Sequence, residues 1–239
     1  MPLVCALTTA NTSLPAPFVG LTVGAWQLAM VEEDVVGEIL DGEDIGGEEG
    51  DGHDAPDLET ALRHHRLVSQ LCLSVRALPL RYSPQLYRPS DVADDIAGRS
   101  DVGTVWDRVA GRVEMVLRLD DPPVSRVEDD ESITSGAAYL RRRAAHYREQ
   151  QARQRRFETL HDDLVNKCHD LIRAQHYKLR QPHCYSGSFL LEPSHTATFE
   201  ARLRDFLRPL PDDTTPSLLG PWPPYSFTLE LPPTPARRR

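Results

Sequence analysis

The sequence predicts a chain of mixed helix and strand divided into two domains. Three observations predict it. Short runs of alternating or continuous apolar residues occupy the first third and read as strands. A polar, proline-containing stretch, Asp120–Ser132, interrupts the pattern and reads as a linker. Beyond it, Ser135 to about Arg180 runs without proline, and without glycine after Gly136, with apolar residues every three or four positions. The expected organisation is an N-terminal domain at 1–120, a linker at 121–133, a C-terminal domain at 134–231 and a frayed tail at 232–239.

Within the first domain, Pro2–Thr9 reads as a strand and Phe18–Val31 as one or two more, with Gly20 and Gly24 marking a bend or bulge. The run at 38–57 is rich in Gly, Asp and Glu and nearly free of large apolar residues. It buries too little to offset its ordering entropy and reads as a mobile acidic loop. Asp57, following Pro56, is a candidate N-cap for a helix reaching Val75. Its apolar stripe reads as Leu58, Leu62, His65, Val68 or Ser69, and Cys72. Leu78–Tyr82 reads as a short strand or an edge segment. Ser90 or Asp91 is the candidate cap of a helix within Val92–Val109, broken near Gly98. Arg112–Leu119 alternates and should place Val113, Met115 and Leu117 on one strand face.

In the second domain the stripe Leu140, Ala144, Tyr147, Gln151, Gln154, Phe157, Leu160, Leu164, Cys168, Leu171 and Gln175 predicts one long helix, roughly 60 Å if unbroken. The glutamines weaken its seam as a coiled coil. A strand at Gly187–Leu191, a helix at Thr196–Leu207 with Phe199, Leu203 and Phe206 on one face, and strands at Ser217–Leu219 and Ser226–Leu231 complete the expectation.

Composition bounds the function. The chain has 239 residues, 40% hydrophobic and 26% charged, with net charge −9. No stretch approaches the ~20 apolar residues of a membrane span, and Met1–Leu7 lacks the positive n-region of a signal peptide. A cytoplasmic location is expected. Cys5, Cys72, Cys168 and Cys184 are scattered and read as buried free thiols. Residues 1–62 hold thirteen Asp or Glu and no Lys or Arg, which argues against nucleic acid as the main partner.

No constellation supports catalysis. GxSxG, catalytic-cysteine, Walker A and GxGxxG patterns are all missing. Asp41, Glu43 and Asp44 do not meet the EF-hand spacing. His169, His176 and His183 lie seven apart. On a helix that is two turns, about 10 Å, too far for neighbours to share one zinc ion. No catalytic, cofactor-binding or metal residue is expected, and the chain does not read as an enzyme. The strongest electrostatic feature is Arg141, Arg142, Arg143, Arg148, Arg153, Arg155 and Arg156, opposed only by Glu149. It reads either as a solvated helix face or as a docking surface for an acidic protein, the latter implying a scaffold or regulator.

The most specific segment is Gly220-Pro221-Trp222-Pro223-Pro224-Tyr225-Ser226-Phe227. Three prolines fix φ and withhold N–H groups, stiffening an extended ribbon that carries Trp, Tyr and Phe. It reads as a turn into the last strand, or as a signature. As a signature it resembles the C-terminal octet of the gas vesicle accessory proteins of the F and L type. Four further segments resemble that family in order: Leu62–Val68 with its paired histidines, Ala77-Leu-Pro-Leu-Arg-Tyr82, Gly111–Val116 with its Val-Glu pair, and Ser135–Arg143 with Tyr139-Leu-Arg-Arg-Arg143. Ser83 stands where the family usually has glycine, and the acidic loop is longer and more charged than the family's pattern. The motifs fit both the F and L types.

The resemblance implies a two-domain α+β protein: an N-terminal mixed α/β domain, and a C-terminal ferredoxin-like α+β domain with a long, coiled-coil-like helix. It implies a non-enzymatic accessory or minor structural role in gas vesicle formation, without a cofactor. The implied partners are the hydrophobic shell protein and other gas vesicle accessory proteins. Tyr139, Arg141, Arg142, Arg143, Gly220, Pro221, Trp222, Pro223, Pro224, Tyr225 and Phe227 are the candidate partner-binding or interdomain-locking residues.

Overall fold

The computed structural model describes residues 3–32, 55–82, 88–120, 136–180, 184–210 and 214–231. Residues 38–54 of the expected acidic loop, with the carboxylates of Asp41, Glu43 and Asp44, lie outside them. So do His183, the linker at 121–133 and the tail at 232–239. The described residues form a mixed α+β structure with two four-stranded sheets and five α-helices.

Contacts divide the chain into two compact units, one of residues 1–113 with 222–239, the other of residues 114–221. This differs from the sequence expectation at two places. The strand at 113–120 belongs almost entirely to the second unit, and the chain after Pro221 returns to the first.

The first unit is built on β1 (Leu3–Thr9), β2 (Val19–Val23), β3 (Trp26–Val31) and β4 (Leu78–Pro79), in the order β2-β3-β1-β4. All three pairings are antiparallel. β1 lies inside the sheet and is buried from Leu3 to Thr8, which is why its sequence is continuously apolar rather than alternating. β2 and β3 form a hairpin in which Val23 pairs with Trp26. Gly24, at φ 60°, supplies the left-handed turn residue.

Helix α1 (Ala55–Ser74) packs on β1. It starts before Asp57, so Ala55–Asp57 belong to the helix and not to the loop. Its buried face also differs from the predicted stripe. His64, Leu67, Val68 and Leu71 are buried, whereas Leu58 and Leu62 are 65% and 50% exposed. Both stripes satisfy the helical period; the one richer in apolar side chains over its C-terminal half is turned inward, joining Leu3, Cys5, Ala6, Phe18, Ala29 and Val31 in one core.

α2 (Pro89–Gly98) and α3 (Val102–Val109) replace the single interrupted helix. Arg88 is the N-cap and Pro89 occupies the first turn, where its fixed φ and missing N–H cost nothing. Neither Ser90 nor Asp91 caps. Arg76 donates to the Ala110 carbonyl (3.1 Å) and lies over the Trp106 ring, which in turn meets Trp26 at 5.3 Å.

The second unit contains β5 (Val113–Asp120), β6 (Ile172–Arg180), β7 (Cys184–Leu191) and β8 (Thr215–Trp222), in the order β6-β7-β5-β8. β5 lies inside its sheet. Glu114 and Val116 are buried as well as Met115 and Leu117, so both faces are covered where the alternation predicted one.

α4 (Gly136–Lys167) has 32 residues, about 48 Å. The predicted helix is therefore cut short, and its last predicted turns are strand β6, paired antiparallel with β7. Two interactions end it. Arg202, on α5 (Thr196–Leu207), donates to the Lys167 carbonyl (3.2 Å), one of the orphan acceptors of a helix C-terminus. The same guanidinium binds Asp170 at 2.5 and 3.0 Å. The chain after Cys168 then satisfies its backbone on β7.

β8 is longer than predicted and takes in Gly220, Pro221 and Trp222. Ser226–Leu231, predicted as strand, is turn and irregular chain. Phe227, Thr228 and Leu229 are buried consecutively.

Gly220 sits at φ 118°, and a Cβ there would stand 2.7 Å from the Glu114 carbonyl oxygen and 3.0 Å from the Met115 sulfur. Gly220→Ala should therefore cost about 2–3 kcal/mol in urea unfolding. Gly24 has open space around it, and Gly24→Asn, which tolerates the left-handed region, should cost less than about 1 kcal/mol in the same measurement.

Candidate functional site

Three of the segments singled out in the sequence meet inside the first unit. They are the paired histidines of α1, the chain leading out of β4, and the octet from Trp222 onward. His64 is 1% exposed and its Nε2 lies 3.2 Å from the Val4 carbonyl oxygen. A carbonyl only accepts, so Nε2 carries the proton and donates. The bond falls beside the register shift of β1 between Val4 and Ala6. There the Cys5 carbonyl also accepts from Leu80 N–H at 3.0 Å.

Aromatic rings close over this bond. His64 meets Tyr82 at 5.7 Å and Tyr225 at 6.5 Å, while His65 meets Tyr225 at 5.8 Å and the edge of Trp222 at 6.1 Å. Adjacent helical residues do not share a face, so the pair divides the work. His64 reaches the sheet, and the half-exposed His65 receives the octet.

The octet is fixed along its length. Pro223 and Pro224 are buried, as is Phe227; Trp222 and Tyr225 are half-buried; Gly220 and Pro221 are exposed and belong to the second unit. With proline withholding donors, the turn is closed by Tyr225 N–H to the Pro223 carbonyl (2.7 Å) and Phe227 N–H to the Pro224 carbonyl (3.1 Å). Arg81 donates to the Tyr225 carbonyl (2.7 Å), the Thr228 hydroxyl to the Pro79 carbonyl, and Arg99 to the Glu230 carbonyl (2.9 Å). Tyr225 packs against the main core of the unit.

Burial controls the protonation here. It depresses His64 to about 4, the hydrogen bond to Val4 opposing the shift and His65 adding to it. Burial also lowers His65. Cys5 and Cys72, in and beside the same core, are pushed up to about 12 by burial, which keeps them as thiols. All four cysteines are free.

The basic group lies elsewhere. Every residue from Tyr139 to Ala152 on α4 is exposed, including Arg141, Arg142 and Arg143. Tyr139, Leu140 and Tyr147 are 51%, 64% and 50% exposed, although the stripe predicted Leu140 and Tyr147 on an apolar seam. The Arg143 guanidinium lies over the Tyr147 ring at 5.6 Å and donates to its hydroxyl at 3.2 Å. Burial of α4 begins at Phe157 and continues through Leu160, His161 and Leu164. The octet from Trp222 and the arginine group thus belong to different units.

Sequence reasoning missed a second buried polar group. His161, 1% exposed, lies 2.7 Å from the Tyr185 hydroxyl through Nδ1 and 2.5 Å from Gln175 Oε1 through Nε2. The Gln oxygen accepts, so Nε2 donates, and Nδ1 accepts from Tyr185. Phe157, Tyr177 and Phe189 surround the chain of bonds. Its one legible sign was a histidine beside two core leucines. His169 is on the turn after α4, bonded to the Asn166 carbonyl (2.9 Å), and His176 is on β6, so the supposed helical histidine stripe does not exist. Among the described residues no three His, Cys, Asp or Glu side chains gather as a metal centre.

The family model for gas vesicle synthesis protein GvpL/GvpF matches residues 22–228. This chain belongs to that family. Two solved structures are similar across nearly the whole of both chains. GvpF from Anabaena sp. PCC7120 matches with TM-score 0.60 at 10% identity, covering 99% of each chain. GvpF from Microcystis aeruginosa matches with TM-score 0.63 at 8% identity, covering 95% of this chain and 98% of the other. At such identity the likeness shows the shared fold. No curated protein sequence matches at a significant level. The GvpL/GvpF match takes in Trp222–Phe227 and the paired histidines, the residues that form the aromatic joint.

His64 predicts a pH dependence. Its folded value, about 4, lies below its ordinary 6.5. Between these the unfolded chain binds the extra proton, so stability is full above about 6.5 and is lost as pH falls toward 4. The loss should be about 3 kcal/mol. Urea unfolding at several pH values should show it, and His64→Gln, which keeps a donor for Val4, should flatten the wild-type excess. A second outcome concerns the octet: Phe227→Ala should lower the unfolding free energy by about 3 kcal/mol, measured at neutral pH.

Proposed function

We propose that this GvpL/GvpF-family protein is an accessory factor of gas vesicle formation, acting in the cytoplasm without catalysis. It binds the small hydrophobic shell protein and assists nucleation or assembly of the wall. Other gas vesicle accessory proteins are further partners. The observation that carries this reading is the family match over residues 22–228. The physical logic is that a subunit polymerising through apolar surface needs a partner before it assembles. No helix among the described residues is long and apolar enough to cross a membrane.

In this reading the second unit is a ferredoxin-like domain and α4 its coiled-coil-like arm. The exposed Tyr139, Leu140 and Tyr147 supply apolar contact on that arm, and Arg141, Arg142 and Arg143 supply its rim. For Trp222, Pro223, Pro224, Tyr225 and Phe227 the burial described above favours a structural role over partner contact. Trp222→Ala should then lower the melting temperature while leaving affinity for the shell protein unchanged.

One observation favours a second reading. The exposed first half of α4 carries many arginines with Glu149 as its one acid, which suits an acidic protein partner and a scaffold role. Salt separates the two. In co-purification with the shell protein, retention at both low and high salt supports assembly through apolar contact. Retention lost steeply with salt supports the acidic partner, because exposed charges are screened within about 10 Å at 0.1 M. Failure to co-purify at either salt refutes binding to the shell protein.

A further inference from the structure

Among the described residues the two sheets have four edge strands, β2 and β4 in one and β6 and β8 in the other. Unpaired edges template association, and proteins blunt them with shortness, charge or proline. β4 is two residues long and contains Pro79. β6 carries exposed Arg173 and Lys178. β8 contains Pro216 and Pro221. β2, Val19-Gly20-Leu21-Thr22-Val23, has none of these devices.

It is also open. Val19, Gly20, Leu21 and Thr22 are all exposed, so both faces of the strand reach solvent; Val19 and Leu21 are 44% and 37% exposed. α2 approaches β2 without covering these residues. The strand and the chain before it carry no charge, and the nearest carboxylates are those of Asp91, Asp94 and Asp95 on α2. Residues 1–31 contain no Asp, Glu, Lys, Arg or His, in a chain that is 26% charged. Asn11, Ser13 and Ala16, exposed in the loop before β2, extend the neutral surface.

We propose that β2 is a self-association edge, pairing antiparallel with β2 of a second copy about a two-fold axis at Leu21. The strand is complementary to itself in that register. Leu21 faces its own counterpart, Val19 faces Val23, and Gly20 faces Thr22, so β-branched and apolar residues meet on one face and small residues on the other. The five paired residues are neutral, so the register itself sets no like charges opposite one another. The result is an isologous contact that joins two four-stranded sheets into one of eight. Five residue pairs bury well under the roughly 1,600 Å² of a standard interface, so the dimer is concentration dependent. This inference stands independently of the proposed partner.

Sedimentation equilibrium of the full chain tests it. The wild-type mass should rise with concentration from 26.9 kDa toward twice that value. Leu21→Lys and Leu21→Glu, each placing like charges opposite, should stay monomeric with unchanged circular-dichroism melts, because Leu21 is exposed. Val19→Lys serves if either fails to fold. An equimolar mixture of Leu21→Lys and Leu21→Glu should regain the dimer, since the register sets opposite charges face to face. A wild type that stays monomeric throughout overturns the proposal and leaves the edge to a strand of another protein. Single variants that associate like wild type overturn it as well, and a mixture that stays monomeric overturns the register.

Discussion

The first unit depends on the segment Trp222–Leu231. The core of β1, β3 and α1 is covered by Tyr225, and the chain around it is tied down at sites far away in sequence: Arg81 to Tyr225 across 144 residues, Thr228 to Pro79 across 149. In sequence, residues 114–221, the whole of the second unit, separate these partners. Such distant closure costs loop entropy before any contact repays it. Stiffness lowers that cost. Prolines at 221, 223 and 224 arrive with φ already set and few conformations to lose. A flexible segment of the same apolar content would surrender more entropy on docking.

The two buried histidines show how polar groups serve a core without serving chemistry. His64 and His161 are each 1% exposed, and each is held by partners that specify its tautomer. His64 spends its proton on a β1 carbonyl beside an irregular register, where a leucine would leave the acceptor unsatisfied. His161 links a strand glutamine to a strand tyrosine. In both cases the hydrogen bonding accounts for the residue, so neither asks for a substrate or a metal. The same conclusion follows for the thiols, which burial holds protonated.

The fold is shared with two GvpF structures at 10% and 8% identity. Cores tolerate wide substitution when burial pattern and volume are kept, so similarity of this kind resides in which positions face inward. A segment such as Trp222–Phe227 is less free. Its prolines withhold donors and its rings meet the paired histidines.

Much of the chain was legible alone. β1, strand at Phe18–Val31 with a bend marked by Gly24, the break near Gly98 and the helix Thr196–Leu207 follow from local pattern, glycine and proline; that the bend is a hairpin turn came from the structure. The family followed from the octet and the four segments before it. The arginine cluster was legible as charge, and its exposure followed. What the sequence could not decide was set by partners distant in the chain. α4 stops at Lys167 because Arg202 takes its last carbonyl and β7 offers the next residues a ladder. α1 presents Leu67, Val68 and Leu71 rather than Leu58 and Leu62 because the sheet lies beneath its C-terminal half. Ser226–Leu231 is no strand: Phe227 N–H closes on the Pro224 carbonyl, and Thr228 and Glu230 are held by Pro79 and Arg99. Local propensity ranks what a segment can become. The free energy of burial and of satisfied backbone groups, fixed only once the other elements are in place, selects among those states.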